Sequence, residues 1–163
     1  EIAKRAKKPL VIEELDFSRK KRNLKENSVA QRRMLSSFAY STIVQNLRSR
    51  AYRLGVQLYS VNPAFTSLIG RIKFAARYGL TTHMAAALCI ARRHQGFSES
   101  LPVASSVPDD RGGHIAFSVP ARNQEKYEWQ FLQKVKKKLQ ATLAEYFRAT
   151  KRRSLRPSKQ GFL

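Results

Sequence analysis

The sequence predicts an α/β fold with a basic amphipathic helix near its C-terminal end. Three patterns predict it. Short apolar runs at residues 9–13 and 56–61 flank a helical stretch of roughly 25 residues. Two shorter helical stretches follow, over 68–78 and 83–94. In a last helix over 124–150, Phe131, Val135, Leu139, Leu143 and Phe147 recur every fourth residue, which draws one apolar stripe.

The strand at 9–13 opens on Pro9, which is tolerated at a strand start. Ser28, with Gln31 three residues on, gives a capping box for the long helix. Leu35, Phe38, Thr42, Leu47, Ala51 and Leu54 form its stripe, and Gly55 is its stop. Asn62-Pro63 ends the second strand. A strand, a long helix and a second strand suggest an α/β unit, parallel or antiparallel. Thr66 and Ser67 are candidate caps for the helix over 68–78, closed by Gly79, and Thr81 or Thr82 for the next. That next helix is rich in alanine from Ala85 to Ala87, small enough to let its backbone approach a sheet. Arg92 and Arg93 suit the negative end of its dipole. Gly, Pro and Ser punctuate residues 95–121, which read as a loop or mobile insertion with at most a short strand at 115–119. Residues 151–163 read as a basic, frayed tail.

The chain has 163 residues, with 32 Lys plus Arg against 11 Asp plus Glu, a formal net charge of +21. That length suits one domain, or one domain with an appendage. Apolar residues make up 42%, enough for a core. No stretch approaches the roughly 20 apolar residues that span a bilayer, and no signal-peptide pattern opens the chain. The single cysteine, Cys89, excludes an internal disulfide framework and a zinc site built on several thiolates. The first residue is Glu1, not Met, as expected of a piece of a longer protein.

A charge excess of this size speaks to partners rather than to fold. Nucleic acid is the usual polyanionic partner, because each phosphate neutralised releases a counterion. An anionic membrane surface competes. The charge gathers at both ends: 11 basic and 5 acidic residues in 1–33, 9 and 3 in 34–121, 12 and 3 in 122–163. The runs Arg19, Lys20, Lys21, Arg22 and Lys136–Lys138 have aromatic neighbours, Phe17 and Tyr127, Trp129 and Phe131. With Lys134, Lys137, Lys138, Arg148, Arg152 and Arg153 they are candidates for phosphate contacts, against the plainer reading of a solvated helix face.

Two residues stand out as candidates for chemistry. Glu13 ends an apolar strand, and a carboxylate there needs a partner. A divalent metal is one, an arginine another, and a structural ion pair or solvated strand end is the commoner outcome. His83 begins a helix and shares a face with Ala86, Ala87 and Ile90. Such a histidine is usually capped or packed, though a helix N-terminus disfavours the imidazolium and so favours the neutral, ligating ring. His94 and His114 show no ligand spacing, and Cys89 reads as a small core residue. No nucleophile elbow, P-loop or dinucleotide glycine pattern is present.

Val11-Ile12-Glu13-Glu14-Leu15-Asp16 resembles the second RuvC motif of TnpB-type transposon-encoded RNA-guided nucleases, which are related to the type V CRISPR effectors. The long helix and then Val61-Asn62-Pro63-Ala64-Phe65-Thr66-Ser67 resemble that family's approach to its zinc ribbon. His83-Met84-Ala85-Ala86-Ala87-Leu88-Cys89-Ile90 resembles its third RuvC motif, where an aspartate starts an alanine-rich helix. The likeness covers roughly residues 9–93.

The resemblance implies a partial RNase H-like (RuvC-like) domain over 1–94, a mixed sheet with flanking helices. Residues 95–121 and the basic helix and tail over 122–163 fall outside it. It implies Glu13 and His83 as catalytic, metal-holding residues and magnesium as the cofactor, used for in-line phosphodiester hydrolysis. DNA and a guide RNA are the implied partners, with no membrane partner, in the cytoplasm of a bacterium at the nucleoid. The departures are a first-motif aspartate missing upstream of Glu13, a missing zinc ribbon, and histidine in place of an acid at 83. The expected function is therefore that of the C-terminal part of a TnpB-related endonuclease, inactive alone and without zinc. The alternative is a non-catalytic nucleic-acid-binding protein with a decayed RuvC core.

Overall fold

A computed structural model describes residues 1–14, 37–109, 111–122 and 127–154 of the chain. It is a mixed α/β structure with two small sheets. The chain divides into two compact units, residues 1–64 with 90–97 and residues 65–89 with 98–163.

In the first unit a single helical turn, α1 (Ile2–Arg5), leads into β1 (Leu10–Glu13). The helix α2 (Ser37–Arg53) precedes β2 (Leu58–Val61), and the two strands pair in parallel, from Leu10 with Leu58 to Glu13 with Val61. A crossover through a helix is what a parallel pair requires. The proposed cap at Ser28 and Gln31 lies outside the described residues. Ala51 is the buried residue of the α2 stripe, and Leu47 and Leu54 are half-buried. The helix ends as expected at Gly55, whose φ of +65° is a left-handed conformation that glycine adopts without strain. Val56 N–H then reaches Ala51 C=O at 2.9 Å and Gly55 N–H reaches Tyr52 C=O at 3.0 Å, so two carbonyls left over at the helix end are satisfied. The Asn62-Pro63 turn is closed by Asn62 Oδ1, which accepts the Ala64 N–H at 2.8 Å. Arg93 donates to the carbonyls of Asn62 and Ala64 and fixes that turn.

The second unit begins with α3 (Thr66–Gly70), continues through a π-helical segment, Arg71–Ala75, and closes with the turn α4 (Ala76–Tyr78). The expected caps differ from those found. Thr66 is the first helical residue and is buried, Phe65 takes the cap position at φ +60°, and no side chain caps the end. Packing of Phe65 against the core and edge-on to Trp129, ring centroids 4.7 Å apart, holds that unfavourable backbone. Thr81 does cap the next helix, α5 (Thr82–His94), by accepting the Met84 N–H at 3.2 Å.

The alanine run of α5 serves a helix rather than a sheet. Ala85 is fully buried, and a Cβ added at Gly70 would lie 2.5 Å from the Ala85 carbonyl oxygen. The two backbones therefore approach where neither carries more than a methyl group.

Residues 104–118, expected as loop with at most one short strand, form an antiparallel hairpin of β3 (Ala104–Pro108) and β4 (His114–Ser118). Val107, Ile115 and Phe117 point to one side and are buried. Serine, proline and glycine mark it as loop in the sequence, yet Ser105 uses its hydroxyl to bond the Ile72 carbonyl and Arg71 bonds the Pro108 carbonyl, Nε at 3.1 Å. These contacts tie the hairpin to the π-helical segment.

The last helix, α6 (Glu128–Ser154), runs four residues past the expected end. Leu132, Val135 and Leu139 are buried, and Phe131 and Leu143 pack beside them. One cluster gathers Ile69, Phe74, Ala75, Ala85, Cys89 and Leu132; the other gathers Ile72, Val107, Ile115, Phe117, Val135 and Leu139. Leu68, Leu101 and Phe131 touch both and join them into one core. Cys89, 1% exposed, is a core residue as expected.

Gly70→Ala tests the helix contact. Helix propensity alone favours alanine by about 1 kcal/mol, but the methyl group meets backbone that cannot swing aside. A net loss of about 1–3 kcal/mol in urea unfolding is expected; a gain in stability contradicts the close approach.

Candidate functional site

The two candidate metal donors belong to different units. Glu13 is the last residue of β1, half-buried, in register with Val61. The following N–H, of Glu14, donates to the Val61 carbonyl at 2.8 Å, so the ladder continues past the carboxylate. His83 lies in the first turn of α5 and is exposed. Among the described residues no three His, Cys, Asp or Glu side chains form a group that could hold a metal ion. One carboxylate and one imidazole fall short of the oxygen-rich octahedron magnesium demands, so no step is derived through that ion. His94 is half-buried and stacks on Tyr59, ring centroids 4.2 Å apart, and His114 opens β4 at the surface.

The basic candidates are better placed. On α6, Lys134, Lys137, Lys138, Arg148 and Arg152 are all exposed. At 100° per residue they fall on the side opposite Val135 and Leu139, along a line of about 27 Å from residue 134 to residue 152 at 1.5 Å per residue. Arg153 lies in the last turn. Lys134 Nζ also donates to the Ala121 carbonyl, at 3.4 Å. Arg19, Lys20, Lys21 and Arg22 lie outside the described residues.

Little acid offsets this face. Of the four described acids in the second unit, Glu99 and Asp109 are buried and Glu128 and Glu145 are exposed. Glu99 pairs with Lys73 at 2.6 Å, its side chain only 4% exposed. Asp109 sits inside the hairpin turn. Its Oδ1 accepts the N–H groups of Arg111 and Gly113, both at 2.8 Å, and its Oδ2 accepts the Tyr146 hydroxyl of α6 at 3.2 Å. Two carboxylates thus serve as internal struts, and neither screens the lysines outside. Sequence reading missed both roles; the turn run Pro108-Asp109-Asp110-Arg111-Gly112-Gly113 was the available signal.

The apolar candidates are exposed aromatic residues at the start of α6. Tyr127 is 61% and Trp129 56% exposed. Arg122 lies over the Phe131 ring, 5.7 Å from its centroid. Among the described residues no helix is long and apolar enough to cross a membrane.

Compared with protein-family models, curated proteins and solved structures, the chain matches none.

The Arg111 N–H, first, holds the Asp109 carboxyl below its ordinary value; the Gly113 N–H, the Tyr146 hydroxyl and the Arg111 charge add to this, and burial opposes it. A carboxylate with a folded pKa below its unfolded one stabilises the fold fully above the unfolded value, about 3.9. That contribution is lost as pH falls through the folded value. Asp109→Asn should therefore lower the thermal midpoint at pH 7, and the gap to the parent should shrink as pH drops below about 4. A gap that stays constant in acid contradicts the assignment.

Proposed function

We propose that this chain binds nucleic acid through the exposed basic side of α6, as the C-terminal part of a TnpB-related RNA-guided DNA endonuclease. The observation that carries the binding is the line from Lys134 to Arg152, turned outward because the opposite side of the helix is buried. Its contacts would fall on phosphates, which position a backbone and carry no sequence information. DNA and a guide RNA are the proposed partners, and the bacterial cytoplasm, at the nucleoid, is the proposed location.

The nuclease part of the reading has separate support. A strand, a helix and a second, parallel strand with Glu13 at its end are the elements a RuvC-like sheet needs at its second motif. In the complete protein Glu13 would hold magnesium, which supplies an activated water and charge stabilisation for phosphodiester hydrolysis. The histidine at 83 favours the second reading, a non-catalytic binding protein, because a neutral imidazole adds no negative charge to a magnesium site.

Deleting α6 would remove Leu132, Val135 and Leu139 from the core, so substitution is the cleaner test. The variant Lys137→Gln, Lys138→Gln, Arg148→Gln, Arg152→Gln should keep its fold. Its plot of log affinity against log salt, by fluorescence anisotropy with a labelled duplex, should flatten by up to about 0.9 unit for each phosphate that is no longer neutralised. An unchanged slope with an unchanged thermal midpoint would show that these side chains are merely solvated.

The nuclease reading stands on a second experiment. In the complete protein supplied with magnesium, Glu13→Gln should abolish DNA cleavage and leave DNA binding near the parental level. Cleavage at the parental rate would remove Glu13 from the chemistry.

A further inference from the structure

Between the open end of the hairpin and the first turns of α6 lies a cavity of about 360 Å3. Its walls are mainly apolar: Leu101, Pro102 and Val103 before β3, Val119 and Pro120 after β4, and Phe131 on α6. Val119 N–H donates to the Val103 carbonyl at 2.8 Å, so the two walls are bonded to each other. The size falls within the range of about 300–1,000 Å3 typical of sites for small organic groups.

Three features bear on what would fill it. Val103 is 85% exposed beside the cavity, an apolar side chain left in water. Arg122, also lining the cavity, spreads its guanidinium over Phe131, which gives a flat cationic and aromatic corner. Lys134, one turn beyond Phe131, donates to the carbonyl of Ala121, another lining residue, so the basic side of α6 begins at the cavity wall.

We propose that the cavity takes one unpaired nucleobase, so that the second unit binds single-stranded nucleic acid with its phosphates along α6 and one base against Phe131 and Arg122. This rests on the nucleic-acid reading above and adds the class of strand. Bases stack on aromatic rings and on guanidinium planes whatever their sequence. A single strand presents those faces, whereas a duplex must first unstack and extrude the nucleotide. The charge beside an apolar, aromatic floor also matches a nucleotide better than an apolar peptide, which would leave Arg122 and Lys134 without an anion.

The test compares three labelled probes by anisotropy: a single strand of about a dozen nucleotides, within the site sizes of single-strand binders, the same strand with abasic sites throughout, and a duplex. The abasic strand should bind about tenfold more weakly than the intact strand, with an unchanged salt slope, and the duplex should also bind more weakly. Arg122→Gln, at an exposed position, should shrink the difference between intact and abasic strands severalfold. Arg77→Gln, which lines a separate cavity with Lys73 and Ser105, should leave that difference in place. Circular dichroism melting of both variants keeps folding and binding apart. Equal binding of intact and abasic strands overturns the base pocket and leaves the phosphate contacts standing. Failure of all three probes to bind overturns both.

Discussion

Burial of Val135 and Leu139 is the constraint on which the second unit depends. These two side chains of α6 meet Ile72 from the π-helical segment and Val107, Ile115 and Phe117 from the hairpin. A two-stranded hairpin is marginal on its own in water, so the helix completes it. The same burial sets the rotation of α6 about its axis. With Val135 inside, Lys137, Lys138, Arg148 and Arg152 have only the outside left. Core packing and the basic surface are therefore two consequences of one amphipathic pattern.

The polar contacts sharpen that arrangement. A π-helical segment alters the backbone bonding of an ordinary helix, and here Ser105 bonds the Ile72 carbonyl within that segment. Arg71 and Lys73, from the same five residues, reach Pro108 and Glu99. Asp109 links the hairpin turn to Tyr146 on α6. Glu99 and Asp109 thus take up bonds inside the unit, so charges that would otherwise balance the lysines do not reach the surface. The high net charge of the sequence becomes a local property of one helix face.

The parts that could be read from sequence are those with a strong local cause. The i, i+4 recurrence from Phe131 to Phe147 placed α6, and glycines at 55 and 79 marked helix ends where the backbone turns left-handed. The parallel pairing of β1 and β2 could not be read, because strand direction depends on a crossover and not on either strand's own pattern. The hairpin was hidden for a different reason. Ser105, Ser106 and Pro108 have poor strand propensity, and only Val107 in β3 shows an inward apolar residue. Its strand is imposed by contacts with Ile72 and α6, which lie far away in sequence. Of the candidate site, the exposure of the basic residues on α6 followed from the stripe. The internal use of Glu99 and Asp109 did not, since a charged side chain in a loop reads as solvated until its partners are known.

Lysine acylation footprinting reads the central claim at the side chains themselves. With nucleic acid bound, Lys137, Lys138 and Lys151 on α6 are predicted to lose reactivity, while Lys73, held by Glu99, stays as it was. Unchanged reactivity along α6, with protection confined to other lysines of the chain, would contradict the account.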